Sequence, residues 1–366
     1  MRSQLPSRLP FLTTNSSPGV VPRRIRTAAR FDAWQAPGGG EIQMAATERY
    51  LRALGNDVRA WRPWEDDDLA AGDVVHFFGS RPEFVAPLEA LRRRGVATVV
   101  STIAWFDWRN TIREPGRAVK RLAACVRYAA RAALPNLNSW RRRLYHSADL
   151  LLPNSQAEAE QLLRLFQVPA QRIRVVPNGV DERFAAARPE EFRERFGTEP
   201  FVLCPGRIEP RKNQLELIRA LRGSGRRLVI LGDAVPGQER YAAACSRAAD
   251  DDTLFLGRLR HDDPLLASAY AACRAVVIPS WFETPSLAAL EASLTGTPLV
   301  LPRGGCAREY FGSHAEYVGP GNLAALRAAV ERAIEKPRSP ELADLVSNTF
   351  TWRHVALATQ EAYETV

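Results

Sequence analysis

The sequence predicts an α/β protein with two Rossmann-like halves, and three observations support this prediction. Its 366 residues are the length of about two domains, at roughly 150 residues per domain. Short β-rich runs alternate with helical patterns along nearly the whole chain, which is the order of a parallel sheet covered by helices on both faces. The alternation pauses at a turn-rich seam over residues 177–181 and then starts again.

The seam divides the chain into its predicted parts. Residues 1–22 are an irregular leader, 23–178 the N-terminal domain, 179–348 the C-terminal domain, and 349–366 a final helix. In open parallel sheets, ligands bind beyond the carboxyl ends of the strands. We therefore expect the functional site in the cleft between the two halves.

Each half contains six β-rich runs. In the first half, a helical pattern over 41–54 stops at Gly55, as a C-cap glycine would make it stop, and a second amphipathic pattern covers 155–166. The predicted strands of the first half are 25–31, 58–61, 74–78, 97–101, 148–152 and 174–176. Those of the second half are 201–204, 228–231, 253–256, 275–278, 298–301 and 316–318.

Composition excludes several classes of protein. A hydrophobic content of 46% with 25% charged residues is that of a globular chain and excludes disorder, collagen and coiled coil. The five cysteines include no C-x-x-C pair, which argues for a reducing compartment and against a disulfide framework or a zinc site. No apolar run approaches the roughly 18 residues of a membrane span, and the N-terminal apolar stretch is too short for a signal peptide. We therefore expect a cytoplasmic protein.

The net charge of +9 is concentrated in one segment. Residues 109–143 hold ten Lys and Arg side chains against one acid, Glu114, whereas the chain from residue 181 onward is slightly acidic. A nucleic-acid-binding protein more often spreads its cations over a domain with interleaved aromatic residues. We therefore expect no nucleic-acid partner.

The densest chemical signal is the segment 279–291, PSWFETPSLAALE, which directly follows a predicted strand. A helix is expected to begin near Pro285 and Ser286, and its first N–H groups are a natural seat for a diphosphate. Glu283 would precede this helix and face the cleft. Glu291 would lie about one and a half turns inside it and accept hydrogen bonds from ribose hydroxyls. The alternative is that both acids are solvated or salt-bridged at the surface.

Two further loops follow predicted strands. In 204–212, CPGRIEPRK, Gly206 allows a sharp turn that presents Arg207 and Lys212 to one phosphate-bearing ligand; the alternative is an ordinary basic loop. The glycines at 38–40 would let the backbone approach a phosphate or sugar. They do not form a G-x-G-x-x-G fingerprint, and the sequence has no P-loop motif.

Taken together, these segments resemble the retaining glycosyltransferases of family 4, whose GT-B fold has two Rossmann-like domains facing each other across a cleft. The resemblance covers roughly residues 25–365. It is carried by 38–58, 147–166, 175–184, 205–221 and 282–300, with the E-x7-E spacing downstream of the Gly-Arg and Lys positions as its most specific feature. Residues 304–320 are also similar to bacterial enzymes that assemble O-antigen and other cell-surface polysaccharides, often mannosyltransferases.

The resemblance implies a reaction and roles for individual residues. A hexose, with mannose from GDP-mannose as the best guess and a UDP-sugar as the other donor, would pass with retention to a glycan or polyprenyl-diphosphate-linked acceptor, without a metal or cofactor. Arg207 and Lys212 would hold the diphosphate, Glu283 the transferred sugar and Glu291 the ribose. The other donor-binding positions would be Gly39, Gly40, Gly206, Arg258, Leu259, Thr284, Pro285, Ser286 and Leu287. The final helix would cross back onto the N-terminal domain.

One departure from the family pattern lies in the N-terminal half. Many members have a His after the fourth strand, near the reacting sugar, but residues 101–108 contain none. Either Asp107 or a backbone carbonyl takes over, or no side chain serves that role. The departure leaves open a second interpretation, a catalytically silent GT-B protein that binds a sugar nucleotide or a glycan. The five histidines have no metal-ligand spacing, and we expect each to be structural or exposed.

The basic segment predicts an interaction surface. Residues 113–134 have a helical pattern in which an apolar side, which includes Leu122 and Val126, lies opposite an arc of cations. The cations are Arg113, Arg117, Lys120, Arg121, Arg127 and Arg131. We expect these cations and Asp107 to face the acceptor or the membrane. The basic arc would meet phospholipid headgroups or the diphosphate of a polyprenol-linked acceptor, on the inner face of the cytoplasmic membrane. The alternative is a solvated arginine-rich face.

Overall fold

The computed structural model describes residues 22–30, 38–107, 118–134 and 137–366. These residues form two compact units, each built on its own parallel β-sheet. One unit comprises the described residues up to 107 together with 122–179 and 352–366; the other comprises 180–351, with which 118–121 are grouped. The predicted α/β class with two Rossmann-like halves is confirmed.

The first unit contains a five-stranded parallel sheet in the order β2-β1-β3-β4-β5. Its strands are β1 (Arg24–Ala28), β2 (Asp57–Ala60), β3 (Val74–Phe78), β4 (Ala97–Ser101) and β5 (Leu150–Leu152). Its helices are α1 (Gly39–Ala53), α2 (Val85–Arg93), α3 (Ala118–Ala133), α4 (Trp140–Ser147) and α5 (Gln156–Phe166). All five residues of β3 are buried, which explains why this interior strand is a continuous apolar run apart from one His.

One predicted strand of this half is wrong, because residues 174–176 do not form a strand. Ile173 makes a single bridge to Leu151, and the N–H groups of Arg174 and Val176 each donate over 3.0 Å to the carbonyls of Leu151 and Pro153. Pro153 has no N–H group to return a hydrogen bond, so the ladder ends there. The other predicted strands agree with the structure to within a few residues.

The second unit contains a six-stranded parallel sheet in the order β11-β10-β9-β6-β7-β8. Its strands are β6 (Phe201–Pro205), β7 (Arg227–Leu231), β8 (Thr253–Gly257), β9 (Ala275–Val277), β10 (Leu299–Pro302) and β11 (Ala315–Val318). Its helices are α6 (Glu190–Phe196), α7 (Gln214–Leu221), α8 (Glu239–Ala248), α9 (Pro264–Ala272), α10 (Leu287–Leu294), α11 (Ala307–Phe311), α12 (Leu323–Glu335) and α13 (Pro340–Thr349). The neighbouring strands β6 and β9 are buried throughout, so the loops that follow them are held by the core of the sheet.

The last helix, α14 (Trp352–Tyr363), belongs to the first unit and packs against α1. The hydroxyl of Tyr363 lies 2.7 Å from Nδ1 of His76, and the other ring nitrogen of His76 lies 2.9 Å from Oγ of Ser101. Burial lowers the pKa of His76 to about 3. This histidine is therefore a neutral, structural residue that ties the last helix to the sheet.

The free energy of unfolding is expected to decrease as the pH falls from 6.5 toward 4. His76 stays uncharged in the folded protein, whereas the unfolded chain takes up a proton at an ordinary His pKa, so the unfolded state binds more protons in this range. The expected loss is about 1.4 kcal/mol per pH unit. Urea unfolding at about pH 7.5 and pH 4.5 measures it. His76→Gln should be less stable at pH 7.5 but lose less on acidification, and equal losses in both proteins would contradict the assignment.

Candidate active site

The centre of the candidate site is an ion pair between Lys212 and Glu283. Lys212 ends a short 3-10 turn, Pro210–Lys212, in the loop after β6, and Glu283 lies in the loop after β9. The Nζ atom of Lys212 is 2.7 Å from Oε1 of Glu283. Glu283 is 5% exposed, and the side chain of Lys212 is 16% exposed. The two charges are largely withdrawn from water, where each requires the other as its partner.

Arg211 adds a second positive charge beside Glu283. Its Nη1 lies 3.8 Å from Oε1 of Glu283, and its Nη2 lies 3.0 Å from Oε1 of Glu209. Burial acts to raise the pKa of Glu283, but the charges of Lys212 and Arg211 outweigh burial and hold that pKa below its usual range. Glu283 is therefore ionised at neutral pH.

Arg207 is the most exposed of the three cations in this loop, with 47% of its side chain in contact with solvent. Its closest acidic partner is Glu209, at 3.6 Å. The sequence grouped Arg207 with Lys212, but the structure gives them different partners, since Lys212 is bonded to Glu283. Sequence reasoning missed Arg211 and Glu209, although the segment GRIEPRK shows an acid between cations.

Two glycines allow loops of this region to approach each other closely. A Cβ on Gly232, after β7, would lie 2.2 Å from the carbonyl oxygen of Gly206, after β6. Gly305, after β10, has φ +96°, and a Cβ there would lie 2.0 Å from the carbonyl oxygen of Glu283. The same carbonyl accepts a hydrogen bond of 3.0 Å from the N–H of Cys306. The loop after β10 therefore holds the backbone of Glu283 in place.

Helix α10 begins where the sequence predicted, with Ser286 as its N-cap residue and Leu287 as its first residue. Pro285 and Ser286 are buried, and Thr284 and Leu287 are half-buried. The first N–H groups of a helix carry a partial positive charge, so this helix end can receive an anion a few residues after Glu283.

Glu291 lies on the second turn of α10 and is bonded through both carboxylate oxygens. Oε2 accepts a hydrogen bond of 2.7 Å from the hydroxyl of Tyr270, and Oε1 lies 2.9 Å from Nε2 of His261. Glu291 is 5% exposed. Both acids are buried, so the alternative of solvated or salt-bridged acids at the surface is wrong in their location, although Glu283 does form a salt bridge, with Lys212. Sequence reasoning missed Tyr270 and His261, because they are distant from Glu291 along the chain and belong to no motif.

Arg258 and Leu259 follow β8, beside the loop that follows β7. The N–H of Arg258 donates to Oδ1 of Asp233 over 3.1 Å. The side chain of Arg258 is exposed, and Leu259 is half-buried.

In the first unit, Gly39 and Gly40 form the first turn of α1. The carboxylate of Glu41 accepts a hydrogen bond of 2.7 Å from the N–H of Gly38 and one of 3.1 Å from Nε of Arg30. A Cβ on Gly40 would lie 3.4 Å from Cδ1 of Ile103, so this turn lies against the loop that follows β4.

The loop after β4 is held by a buried carboxylate of α5. Oε1 of Glu158 accepts hydrogen bonds from the hydroxyl of Thr102 (2.5 Å) and the N–H of Ala104 (2.7 Å), and Oε2 accepts one from the N–H of Asn154 (2.9 Å). Between the two loop donors, Ile103 has φ +43°, which is unusual for a β-branched residue. The half-buried Asp107 follows, and residues 101–107 contain no His, so the departure from the family pattern remains.

Glu158→Ala is expected to lower the free energy of unfolding by about 3 kcal/mol, because three hydrogen-bond donors lose a buried acceptor at roughly 1 kcal/mol each. Glu160→Ala, at an exposed position of the same helix, is the matched control and should change little. Urea unfolding measures both variants. Equal stability of the two variants would show that the carboxylate of Glu158 does not hold the loop.

The structure describes three of the six side chains of the predicted basic arc, and these three differ in exposure. Arg113 and Arg117 lie outside the described residues, as does the side chain of Lys120. Arg127 is exposed and Arg121 is half-buried. The guanidinium of Arg131 lies 5.1 Å from the ring centre of Phe166 and 5.6 Å from that of Phe106. Arg131 therefore packs onto aromatic rings of the core, because a guanidinium stacks favourably on an aromatic face.

Two general findings concern the part of the chain that the structure describes. No group of three or more His, Cys, Asp or Glu side chains there is arranged to hold a metal ion. None of its helices is both long enough and apolar enough to cross a bilayer.

The protein has two parallel sheets, and loops that carry acidic and cationic side chains follow the strands of the second sheet. This is the arrangement of a Rossmann-like enzyme of the GT-B class. Comparison with known proteins identifies the family. A model of glycosyltransferase family 4 matches residues 72–184, and a model of glycosyl transferases group 1 matches residues 188–352. The chain belongs to the group 1 glycosyltransferases and is a glycosyltransferase.

Similarity to individual proteins supports the same family. The chain is 30% identical to a glycogen synthase of Mycobacterium tuberculosis over 329 residues, which are 86% of this chain and 71% of the relative. It is 29% identical to an MMP α-(1→4)-mannosyltransferase of Mycolicibacterium hassiacum over 245 residues, which are 61% of this chain and 56% of the relative. Anabaena HepE, solved in complex with UDP and glucose, has the same fold, with a TM-score of 0.70, 18% identity, and coverage of 94% of this chain and 100% of HepE.

Proposed function

We propose that this protein transfers a hexose from a nucleotide-sugar, with retention, to a glycan or polyprenyl-diphosphate-linked acceptor in the assembly of a bacterial surface polysaccharide. The observation that carries the proposal is the buried Lys212–Glu283 pair, with Arg211 and Arg207 beside it and the start of α10 a few residues further along the chain. This arrangement combines a carboxylate that can accept hydrogen bonds from a sugar with cations that can bind a diphosphate.

The charges match the requirements of sugar transfer. The anomeric carbon becomes positive as its bond to the diphosphate breaks, and the departing diphosphate becomes more negative. Arg207 and the N–H groups at the start of α10 would bind the diphosphate, and Lys212 would stabilise its growing charge. One such preorganised donor can lower the barrier by ~3–4 kcal/mol. Glu283 would orient the ammonium of Lys212 and accept hydrogen bonds from the sugar hydroxyls.

In this proposal the acceptor hydroxyl attacks the same face of the sugar that the diphosphate leaves, so the configuration at the anomeric carbon is retained. The carboxylate of Glu283 is neutralised by Lys212 and Arg211, which makes it a poor covalent nucleophile. The leaving phosphate can instead accept the proton of the incoming hydroxyl on the same face of the sugar. Because protein cations supply the positive charge, we propose that the transfer needs no metal or cofactor and is unaffected by EDTA.

The proposed donor is GDP-mannose, with a UDP-sugar as the alternative. The mannosyltransferase relative supports the first, and the HepE complex with UDP supports the second only as a property of that fold. Glu291, held by Tyr270 and His261, would bind the ribose. The exposed Arg258 and the half-buried Leu259, which precede His261 in the loop after β8, would line the base. A thermal-shift screen with GDP-, UDP- and dTDP-sugars is the test: we expect the GDP-sugar to stabilise the protein most, and a larger shift with another base would overturn this choice.

Membership of the glycosyltransferase family speaks against the alternative of a catalytically silent binding protein, although residues 101–107 contain no His. If the protein is a cytoplasmic transferase, we expect sugar transfer or slow hydrolysis of the donor, and we expect Lys212→Met to lose this activity. If the protein only binds its ligand, we expect a sugar nucleotide to produce a thermal shift but no turnover by the unmodified chain.

A further inference from the structure

We infer that helix α3, together with Leu134 and Leu137 just after it, docks onto an anionic phospholipid bilayer, with the apolar side of the helix in contact with lipid. The surface belongs to neither loop of the proposed donor site, and the inference does not depend on which sugar is transferred.

The first observation is an unusual exposure of large apolar side chains. In α3, Val119 is 76% exposed, Leu122 67% and Val126 58%; just after the helix, Leu134 is 59% exposed and Leu137 51%. These are five of the seven large hydrophobic side chains that are exposed in the described residues. Scattered exposed apolar residues are common, but a cluster on one short segment marks an interaction surface.

The second observation is that these residues share one side of the helix. Val119, Leu122 and Val126 are followed by the exposed Ala129 and Ala133, so the apolar positions recur at alternating intervals of three and four. That spacing places them on one side of an α-helix. The helix contacts the core of its unit through other positions, Tyr128 and Arg131. The apolar side of α3 is therefore its exposed side.

The third observation is positive charge in the same stretch of the chain. Arg127 is exposed at the helix, and a pocket of about 420 Å³ lies just after Leu137. The pocket is lined by Asn138, Arg142, Arg143, His146 and Ser147. An amphipathic helix flanked by cations is the arrangement that binds the surface of a bilayer containing anionic lipids.

Charge also favours lipid over a second copy of this chain as the partner of the apolar side of α3. The segment 109–143 holds ten cations and one acid, so two copies brought together along α3 would repel each other. An anionic headgroup layer attracts the same segment, and the apolar side enters the acyl region beneath it.

Vesicle sedimentation with the full chain tests the inference. Binding is expected to vesicles of phosphatidylcholine mixed with phosphatidylglycerol, to weaken with salt, and to be much weaker with phosphatidylcholine alone. The double variant Leu122→Ser/Val126→Ser should bind at least tenfold more weakly, and Arg127→Glu about fivefold more weakly. The matched control is Leu323→Ser, at an exposed leucine of α12, which should bind as the unmodified chain does.

The binding is measured without a sugar nucleotide, so its result is separate from that of the transferase assay. Equal binding to neutral and anionic vesicles, or unchanged binding of the double variant, would overturn the inference. A dimer in lipid-free solution that the double variant converts to a monomer would also overturn it, in favour of a second copy as the occupant. Far-UV circular dichroism confirms that each variant is folded before its binding is compared.

Discussion

Replacing Lys212 by Met is expected to lower kcat/KM for sugar transfer by about a hundredfold to a thousandfold, the effect of removing one preorganised donor from a developing negative charge. The same change leaves Glu283, 5% exposed, without its closest counter-charge. Breaking a buried ion pair by removing one partner typically costs about 3–5 kcal/mol of stability, so Lys212→Met should also unfold at lower urea concentration.

Lys336 provides the matched control, because the chain has only three lysines and Lys336 forms an ion pair of 2.6 Å with Glu316 on the surface. Lys336→Met should change stability by about 0–1 kcal/mol and leave sugar transfer intact. Equal effects of the two lysine variants would show that the buried pair has no special role.

A double variant separates stability from catalysis. Lys212→Met/Glu283→Gln removes both charges, so no buried carboxylate is left unpaired and much of the lost stability should return. Sugar transfer should not return, because the cation is still missing. A double variant that is as unstable as Lys212→Met, or one that regains transfer, would contradict the assigned roles of this pair.

Replacing Gly305 by Ala is expected to destabilise the protein by about 3 kcal/mol or more and to abolish sugar transfer. The new Cβ would lie 2.0 Å from the carbonyl oxygen and 2.6 Å from the nitrogen of Glu283, and backbone atoms cannot move aside as a flexible side chain can. Part of the effect is local strain at φ +96°, which costs roughly 1 kcal/mol for a residue with a Cβ. The remainder comes from displacement of the Glu283 backbone, which carries the carboxylate away from Lys212.

Gly321 separates the two contributions. It has φ +89°, close to that of Gly305, but a Cβ there meets nothing within 4 Å. Gly321→Ala should therefore show the strain alone, with a loss of about 1 kcal/mol in urea unfolding and normal sugar transfer. Equal losses of stability in the two glycine variants would mean that the close approach of Gly305 to Glu283 is unimportant.

The sequence predicted the two sheets well because most strands of a parallel sheet are short, apolar and bounded by turn residues. It failed at residues 174–176, where the apolar pattern is present but Pro153 in the neighbouring segment prevents a ladder. The missing ladder depends on a residue about 20 positions earlier in the chain, and the periodicity of one segment contains no information about its pairing partner.

The candidate site was predicted in part for a similar reason. Lys212, Glu283 and Glu291 were found from motifs, whereas the bond between Lys212 and Glu283 joins loops 71 residues apart and appears only in the folded chain. Tyr270 and His261 carry no motif. The exposure of the apolar side of α3 was not predicted, because a helical pattern shows that two sides differ but does not say which side meets the protein core.

The most direct test of the central claim is calorimetric titration of a nucleoside diphosphate into the unmodified chain, Lys212→Met and Lys336→Met. If Lys212 lies at the donor diphosphate, the diphosphate that matches the best sugar nucleotide should bind the unmodified chain and Lys336→Met equally. It should bind Lys212→Met at least tenfold more weakly, a loss of about 1.4 kcal/mol or more. Equal affinity of all three folded proteins would contradict the claim that the Lys212–Glu283 pair forms the donor site.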